Sequence, residues 1–125
     1  MNDMKKLITG NLDQRVASHP ETNGWFLGCF MAEYPDFQSD NVELKWVRRK
    51  KGEKKSGLRT KATTKTLNIL ISGKLVMRFP ELNQNIVLSK LGDFAFYDAR
   101  QTSHEVETLK DSLFLVVRYP SKRRA

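Results

Sequence analysis

The chain has almost no cysteine. Cys29 is the single thiol in 125 residues, so no disulfide can form within the chain. A lone thiol inside the apolar run from Trp25 to Met31 reads as a small buried hydrophobe in a reducing compartment. Long apolar runs are missing too. The longest are about six residues, against the roughly 20 that a membrane helix needs, and Met1 to Gly10 shows no apolar stretch with a cleavage signature. A cytoplasmic, non-membrane protein is expected. Histidine is scarce, with only His19 and His104. A transition-metal site needs about three His, Cys, Asp or Glu ligands at one point, so neither a metal nor any other cofactor is expected. No Gly-rich phosphate loop, nucleophile elbow, Cys-x-x-Cys pair or paired-carboxylate motif occurs, and no internal repeat or low-complexity linker. These absences leave enzymatic activity undecided and tilt the reading towards a binding protein.

What is present is enough chain for one domain with a real core. Hydrophobic residues make up 39% and charged residues 29%, as in an ordinary globular protein. The net charge of +8 is unevenly placed. From Lys45 to Lys61 there are nine basic residues and one acid, Glu53, while the remaining 13 basic and 13 acidic residues cancel. One segment carries the whole excess.

Periodicity points to strands. Met1 to Gln14 holds a weak apolar stripe (Leu7, Ile8, Leu12) that suggests a short helix. His19-Pro20 and Asn23-Gly24 read as loop and turn. Trp25 to Met31 is apolar and aromatic, and Val42, Leu44 and Trp46 alternate with Glu43 and Lys45 as in a half-buried strand. Lys50 to Gly57 reads as a charged loop. Thr66 to Ser72 and Leu75 to Phe79 follow, joined by a tight turn at Gly73-Lys74. Ile86 to Ser89, Phe94 to Tyr97, Ser103 to Leu109 and Leu113 to Tyr119 complete the series, with Lys110-Asp111-Ser112 as the last turn. About eight short strands at roughly ten-residue spacing argue an all-β sandwich or barrel. The expected organisation is an N-terminal extension over 1–24, a β-barrel over 25–121 and a basic tail over 122–125.

Three pieces in order, Leu70-Ile71-Ser72-Gly73-Lys74-Leu75, then Leu91-Gly92-Asp93-Phe94, then Asp111-Ser112-Leu113 running into Val116 to Ser121, resemble a single-domain cupin, the double-stranded β-helix or jelly-roll barrel. The resemblance covers about three quarters of the chain and is nearest to small stand-alone members. It implies a first motif closing at Gly73, whose Glu position is then Thr66. The two His positions fall on Arg59 and Lys61, or on Thr60 and Ala62. In the second motif, opening at Gly92, the His position is Ser103 and the final Asn position is Glu107 or Thr108. His104 sits one residue late, and a turn lengthened by one residue over Asp98 to Gln101 would bring it to the inward face. The metal-holding pattern is therefore degenerate, and the resemblance implies a metal-free cupin.

From these residues we expect a small ligand in the barrel, anionic because of the adjoining basic segment. His104 is the leading pocket residue, since imidazole exchanges a proton near neutral pH. Thr66 and Asn68 share one face of a strand whose other face is Leu67, Ile69 and Ile71, and a buried Asn must find a partner. Arg59 and Lys61, standing where the histidines would be, suit a carboxylate or phosphate; Tyr97 and Arg118 complete the ligand-binding set. Trp25, Trp46 and Phe96 read as packing aromatics. Two alternatives stand beside this reading. One is a metal-independent isomerase or epimerase, which the resemblance implies through a His base and a Tyr acid, here His104 and Tyr97. The other is nucleic-acid binding through Arg48, Arg49, Lys50, Lys51, Lys54 and Lys55, a dense charge suited to phosphates, although no aromatic interleaves it after Trp46. A homodimer pairing through apolar sheet faces is also expected.

Overall fold

The computed structural model describes residues 6–121; the basic tail over 122–125 lies outside them. A short helix, α1 (Leu12–Ser18), comes first, with the Gln14 N–H donating to the Asn11 side chain at its start (3.1 Å). It lies later than the stripe that suggested it, and Leu7 and Ile8 are exposed. Seven strands follow: β1 (Trp25–Leu27), β2 (Glu43–Arg49), β3 (Lys54–Gly57), β4 (Lys65–Phe79), β5 (Gln84–Leu88), β6 (Phe94–Asp98) and β7 (His104–Tyr119). All pairings are antiparallel.

Two expected hairpin turns are not turns. Thr66–Ser72 and Leu75–Phe79 form one strand, β4, and the two last segments form one strand, β7. Gly73 marks a bulge rather than a turn: its φ is +98°, and a Cβ there would collide with Ser112 Oγ and the Asp111 carbonyl. Across this bulge the β4–β7 pairing slips by one residue, from Leu70 opposite Phe114 to Leu75 opposite Thr108. A one-residue slip changes which alternate residues face inward. Thr66, Asn68 and Leu70 point in before it; Leu75, Met77 and Phe79 point in after it. Part of the charged loop is also a strand, since Lys54 to Gly57 pairs with His104 to Glu107 as β3.

The bend divides the sheet into two leaves. One contains β1, β2, the second half of β7, the first half of β4, and β6; the other contains β3, the first half of β7, the second half of β4, and β5. Tyr97 of the first leaf meets Phe79 and His104 of the second, with ring centroids 5.3 and 4.8 Å apart, so the leaves face each other. Leu70, Leu75, Met77, Phe79, Leu88 and Phe114 form the core between them. The helix docks on the outside: the Trp46 indole N–H and the Arg48 guanidinium both donate to the Asp13 carboxylate, each at 2.7 Å.

Candidate functional site

Cross-strand register sets out the inner face of the first leaf in rows. Trp25, Lys45, Val116, Asn68 and Ala95 make one row, and Glu43, Arg118, Thr66 and Tyr97 make the next. Opposite register partners stand on the same face. From the second leaf His104 and Val106 point inward, facing across from Gly57 and Lys55 on β3. The His104 ring lies directly over Gly57, where any Cβ would overlap it. Together these residues enclose a cavity of about 140 Å³, lined by Trp25, Lys45, Val47, Arg49, Lys55, Asn68, Tyr97, His104, Val106, Phe114, Val116 and Arg118.

Four of the expected residues therefore meet: Asn68, Tyr97, His104 and Arg118. Thr66 is buried (3% exposed) beside them, directly across from both Tyr97 and Arg118. The turn over Asp98 to Gln101 has the length that brings His104 inward, and the Asp98 carboxylate holds it by accepting from the Arg100 N–H (2.9 Å) and guanidinium (2.8 Å). Arg59 and Lys61 do not reach the cavity. They are exposed in the irregular segment before β4 and border a separate open groove with Thr60 and Arg100. The Thr60 N–H is tied to the Ala99 carbonyl (2.8 Å), which holds that segment against the rim.

Lys45, Arg49 and Lys55 take their place. The alternation in β2 suggested that Leu44 and Trp46 face the core. Instead Glu43, Lys45, Val47 and Arg49 face inward, while Leu44 and Trp46 lie on the outer side, where α1 covers Trp46. Of the six nucleic-acid candidates, Arg48, Lys50, Lys51, Lys54 and Lys55 are exposed and Arg49 is half-buried; Arg48 is paired with Asp13, and Arg49 and Lys55 border the cavity. The overlooked signal was the helix: an amphipathic segment packed on β2 inverts which face of that strand is interior.

The electrostatics follow from four cations around one small space. Burial, and after it the charges of Arg49, Lys55 and Arg118, together lower the Lys45 pKa to about 8. His104 is also lowered, by burial first and then by Arg118, so its ring is neutral at neutral pH. Burial raises Tyr97, against the opposing Arg118 charge and the nearby Thr66 and Asn68 side chains. The Tyr97 hydroxyl and His104 Nε2 are 3.3 Å apart. Arg118 lies 3.8 Å from the Glu43 carboxylate and 4.8 Å from the Trp25 ring centroid, a cation–π distance. Asn68 is only 4% exposed, and its side-chain NH₂ makes no hydrogen bond of good geometry, although it lies close enough to the Tyr97 hydroxyl to lower that group's pKa. That set does not fit a metal ion: one imidazole among four cations repels a divalent cation. Among the described residues no three His, Cys, Asp or Glu side chains stand together.

No protein-family model and no curated protein matches the chain. Solved structures do. KdgF from Halomonas sp. superposes with a TM-score of 0.56 at 19% identity, covering 69% of this chain and 73% of that one. An RmlC-like cupin protein from Desulfovibrio desulfuricans gives 0.55 at 17% identity, over 66% and 74% of the two chains. The chain has the cupin fold. A putative ethanolamine utilization protein from Salmonella typhimurium is similar as well (0.53, 17% identity, over 66% of this chain), and there the match spans 60% of the neighbour's length. The expected jelly roll with a short N-terminal helix is thus the fold observed, and no helix among the described residues is long and apolar enough to cross a membrane.

Proposed function

We propose that this cupin domain binds a small anion, a carboxylate or phosphate, in the cavity between its leaves, and that side chains rather than a metal hold it. The observation that carries this is the convergence of Lys45, Arg49, Lys55 and Arg118 on one cavity of about 140 Å³. Three of these cations, Lys45, Arg49 and Arg118, are half-buried and Lys55 is exposed at the edge; like charges held this close repel one another, Glu43 offsets part of that at Arg118, and a bound anion relieves the rest. The Asn68 NH₂, buried without a well-placed acceptor, supports the same reading, because a buried donor left unpaired costs up to about 1–3 kcal/mol until something accepts from it. The cavity compares with the roughly 150 Å³ that encloses a benzene molecule, so the anion has about six non-hydrogen atoms. Thermal-shift measurements with small carboxylates and phosphates test the reading. A bound anion raises the melting temperature by mass action, and Arg118→Gln weakens the rise. No shift with any small anion at low salt overturns it.

The contact between Tyr97 and His104 favours a second reading, a metal-independent isomerase or epimerase. A protonated phenol next to a neutral imidazole is an acid and a base in hydrogen-bond reach. Turnover of a bound anion that is lost in both Tyr97→Phe and His104→Gln would establish it. The reading also includes a homodimer. The outer face of β6 exposes Phe94 (63%) and Phe96, and Leu67, Ile69, Leu115 and Val117 lie beside them in register. A second copy laying its own β6 face against this one buries both, and Phe96→Lys should yield a monomer in light scattering.

A further inference from the structure

We propose that Lys45 forms an imine with the carbonyl group of a small 2-oxo carboxylate whose carboxylate is held by the neighbouring arginines. This rests on the anion-binding reading and adds the carbonyl to it.

The placement of Lys45 carries the proposal. It stands on the cavity wall between Trp25 of β1 and Val116 of β7, with its ammonium 5.6 Å from the centroid of the Trp25 ring. Arg49 of the same strand, Arg118 of β7 and Lys55 of β3 face the same space. Glu43, two residues before it on β2, sits at Arg118, and Glu53 acts on Arg49. Tyr97 and His104 complete the titratable groups lining the cavity. Asn68 lies in the same cross-strand row, two strand spacings from Lys45, or about 9.6 Å between backbones.

An amine attacks a carbonyl only as the free base, and a desolvated lysine beside other cations is one of the arrangements that supplies it. With its pKa at about 8, Lys45 holds on the order of 100 times more free amine at neutral pH than an ordinary lysine near 10.4. The guanidinium groups of Arg49 and Arg118 stay charged throughout, so they hold the carboxylate whatever the state of Lys45. The free amine adds to the carbonyl carbon; the C–N bond forms and the carbonyl oxygen takes a proton. The nitrogen gives up its first proton as the oxygen gains one; the oxygen is then protonated again and leaves as water, and the nitrogen releases its second proton, so that C=N remains. Nothing is oxidised or reduced. Tyr97 carries a proton and neutral His104 accepts one, 3.3 Å apart on the cavity wall, which provides the relay.

The full-length protein is incubated with pyruvate and sodium cyanoborohydride at neutral pH, and the reduced adduct is mapped by peptide mass spectrometry. Lactate, which has the carboxylate without the carbonyl, serves as the parallel probe in thermal-shift measurements. The adduct is expected on Lys45 at least about tenfold above exposed lysines such as Lys54 and Lys110, with a labelling rate that climbs as pH passes about 8. Lactate should slow the labelling, and Lys45→Arg should remove it. An adduct spread over the lysines according to their exposure, or none on Lys45, overturns the imine. If lactate still raises the melting temperature in that case, the anion site stands and the imine alone falls. If neither pyruvate nor lactate shifts it and no adduct forms, both fall.

Discussion

The two halves of β4 belong to one strand and do opposite work. Beyond the Gly73 bulge, Leu75, Met77 and Phe79 face inward, and the first two are wholly buried against Leu88 of β5 and its neighbours. Before the bulge, Thr66 and Asn68 are almost as deeply buried, yet Asn68 looks onto a cavity edged by four cations and Thr66 sits directly beside it. One half builds a dry core that gains from every apolar contact. The other half gives up that gain and leaves an amide donor without a well-placed acceptor. Burial alone does not separate them; chemistry does. A fold that could have filled both halves with leucine keeps one of them polar and open, as a ligand site requires.

Truncation on the dry side should have the largest effect. Leu75→Ala removes a fully buried side chain from the tightest part of the core, and denaturant unfolding should show a loss of about 3 kcal/mol, within the range for such cavities. An effect under about 1 kcal/mol would mean that the half built from Leu75, Met77 and Phe79 is not the stabilising one. The junction itself comes next. Gly73→Ala forces a side chain into a left-handed backbone position and against Ser112, which should cost about 1–3 kcal/mol. Because the bulge sets which residues face inward on both sides, ligand binding should weaken along with stability. A variant of unchanged stability would show that the strand passes the bend without needing glycine.

The division between the halves was only partly legible in the sequence. Thr66, Asn68 and Leu70 against Leu67, Ile69 and Ile71 announced two unlike faces, and the face with Thr66 and Asn68 is the interior. The resemblance of the Gly73 and Gly92 segments to a cupin pointed to the fold observed, although the turn it implied at Gly73 is a bulge within β4. Local signals misled where tertiary context decides. Gly73-Lys74 has turn chemistry, yet the glycine serves a close approach to Ser112. Strand β2 offered Leu44 and Trp46 as its core face, but α1 covers Trp46 from outside, so Lys45 and Arg49 are turned inward. No periodicity rule foresees that inversion. Arg59 and Lys61 were placed by motif alignment, which carries no geometry for an irregular segment.

On the wet side the same kind of substitution should reverse sign. Asn68→Leu removes the NH₂ that lacks a well-placed acceptor and adds apolar volume facing the cavity. Stability should be unchanged or higher by about 1 kcal/mol, since the cost of an unpaired donor disappears, while the melting-temperature rise caused by a small anion should be lost. If Asn68→Leu destabilises the protein as strongly as Leu75→Ala, the two halves are energetically alike and the contrast fails.

The smallest effect concerns the pH at which the wet side relaxes. In the unfolded chain Lys45 keeps its proton up to about 10.5, and in the folded protein up to about 8. Between those values the unfolded state binds more protons, so raising the pH stabilises the fold. Below about 8 both states are protonated, and the cost of holding that charge beside Arg49, Lys55 and Arg118 is present in full. Above about 10.5 both are neutral and the cost is gone. Tyr97 acts in the opposite sense at the top of this range: its phenol is held protonated in the fold beyond its ordinary value of 10.0, so stability turns down again once unfolded tyrosine ionises. Urea midpoints measured from pH 8 to 10 should therefore climb for the wild-type protein and stay level for Lys45→Met, whose flat profile shows that the climb belongs to this lysine. Lys45→Met should also start from the higher midpoint at pH 8, because it never carries the charge. Equal slopes in the two proteins would mean that Lys45 titrates as an ordinary surface lysine, and the cationic cavity would then be too well solvated to distinguish one half of β4 from the other.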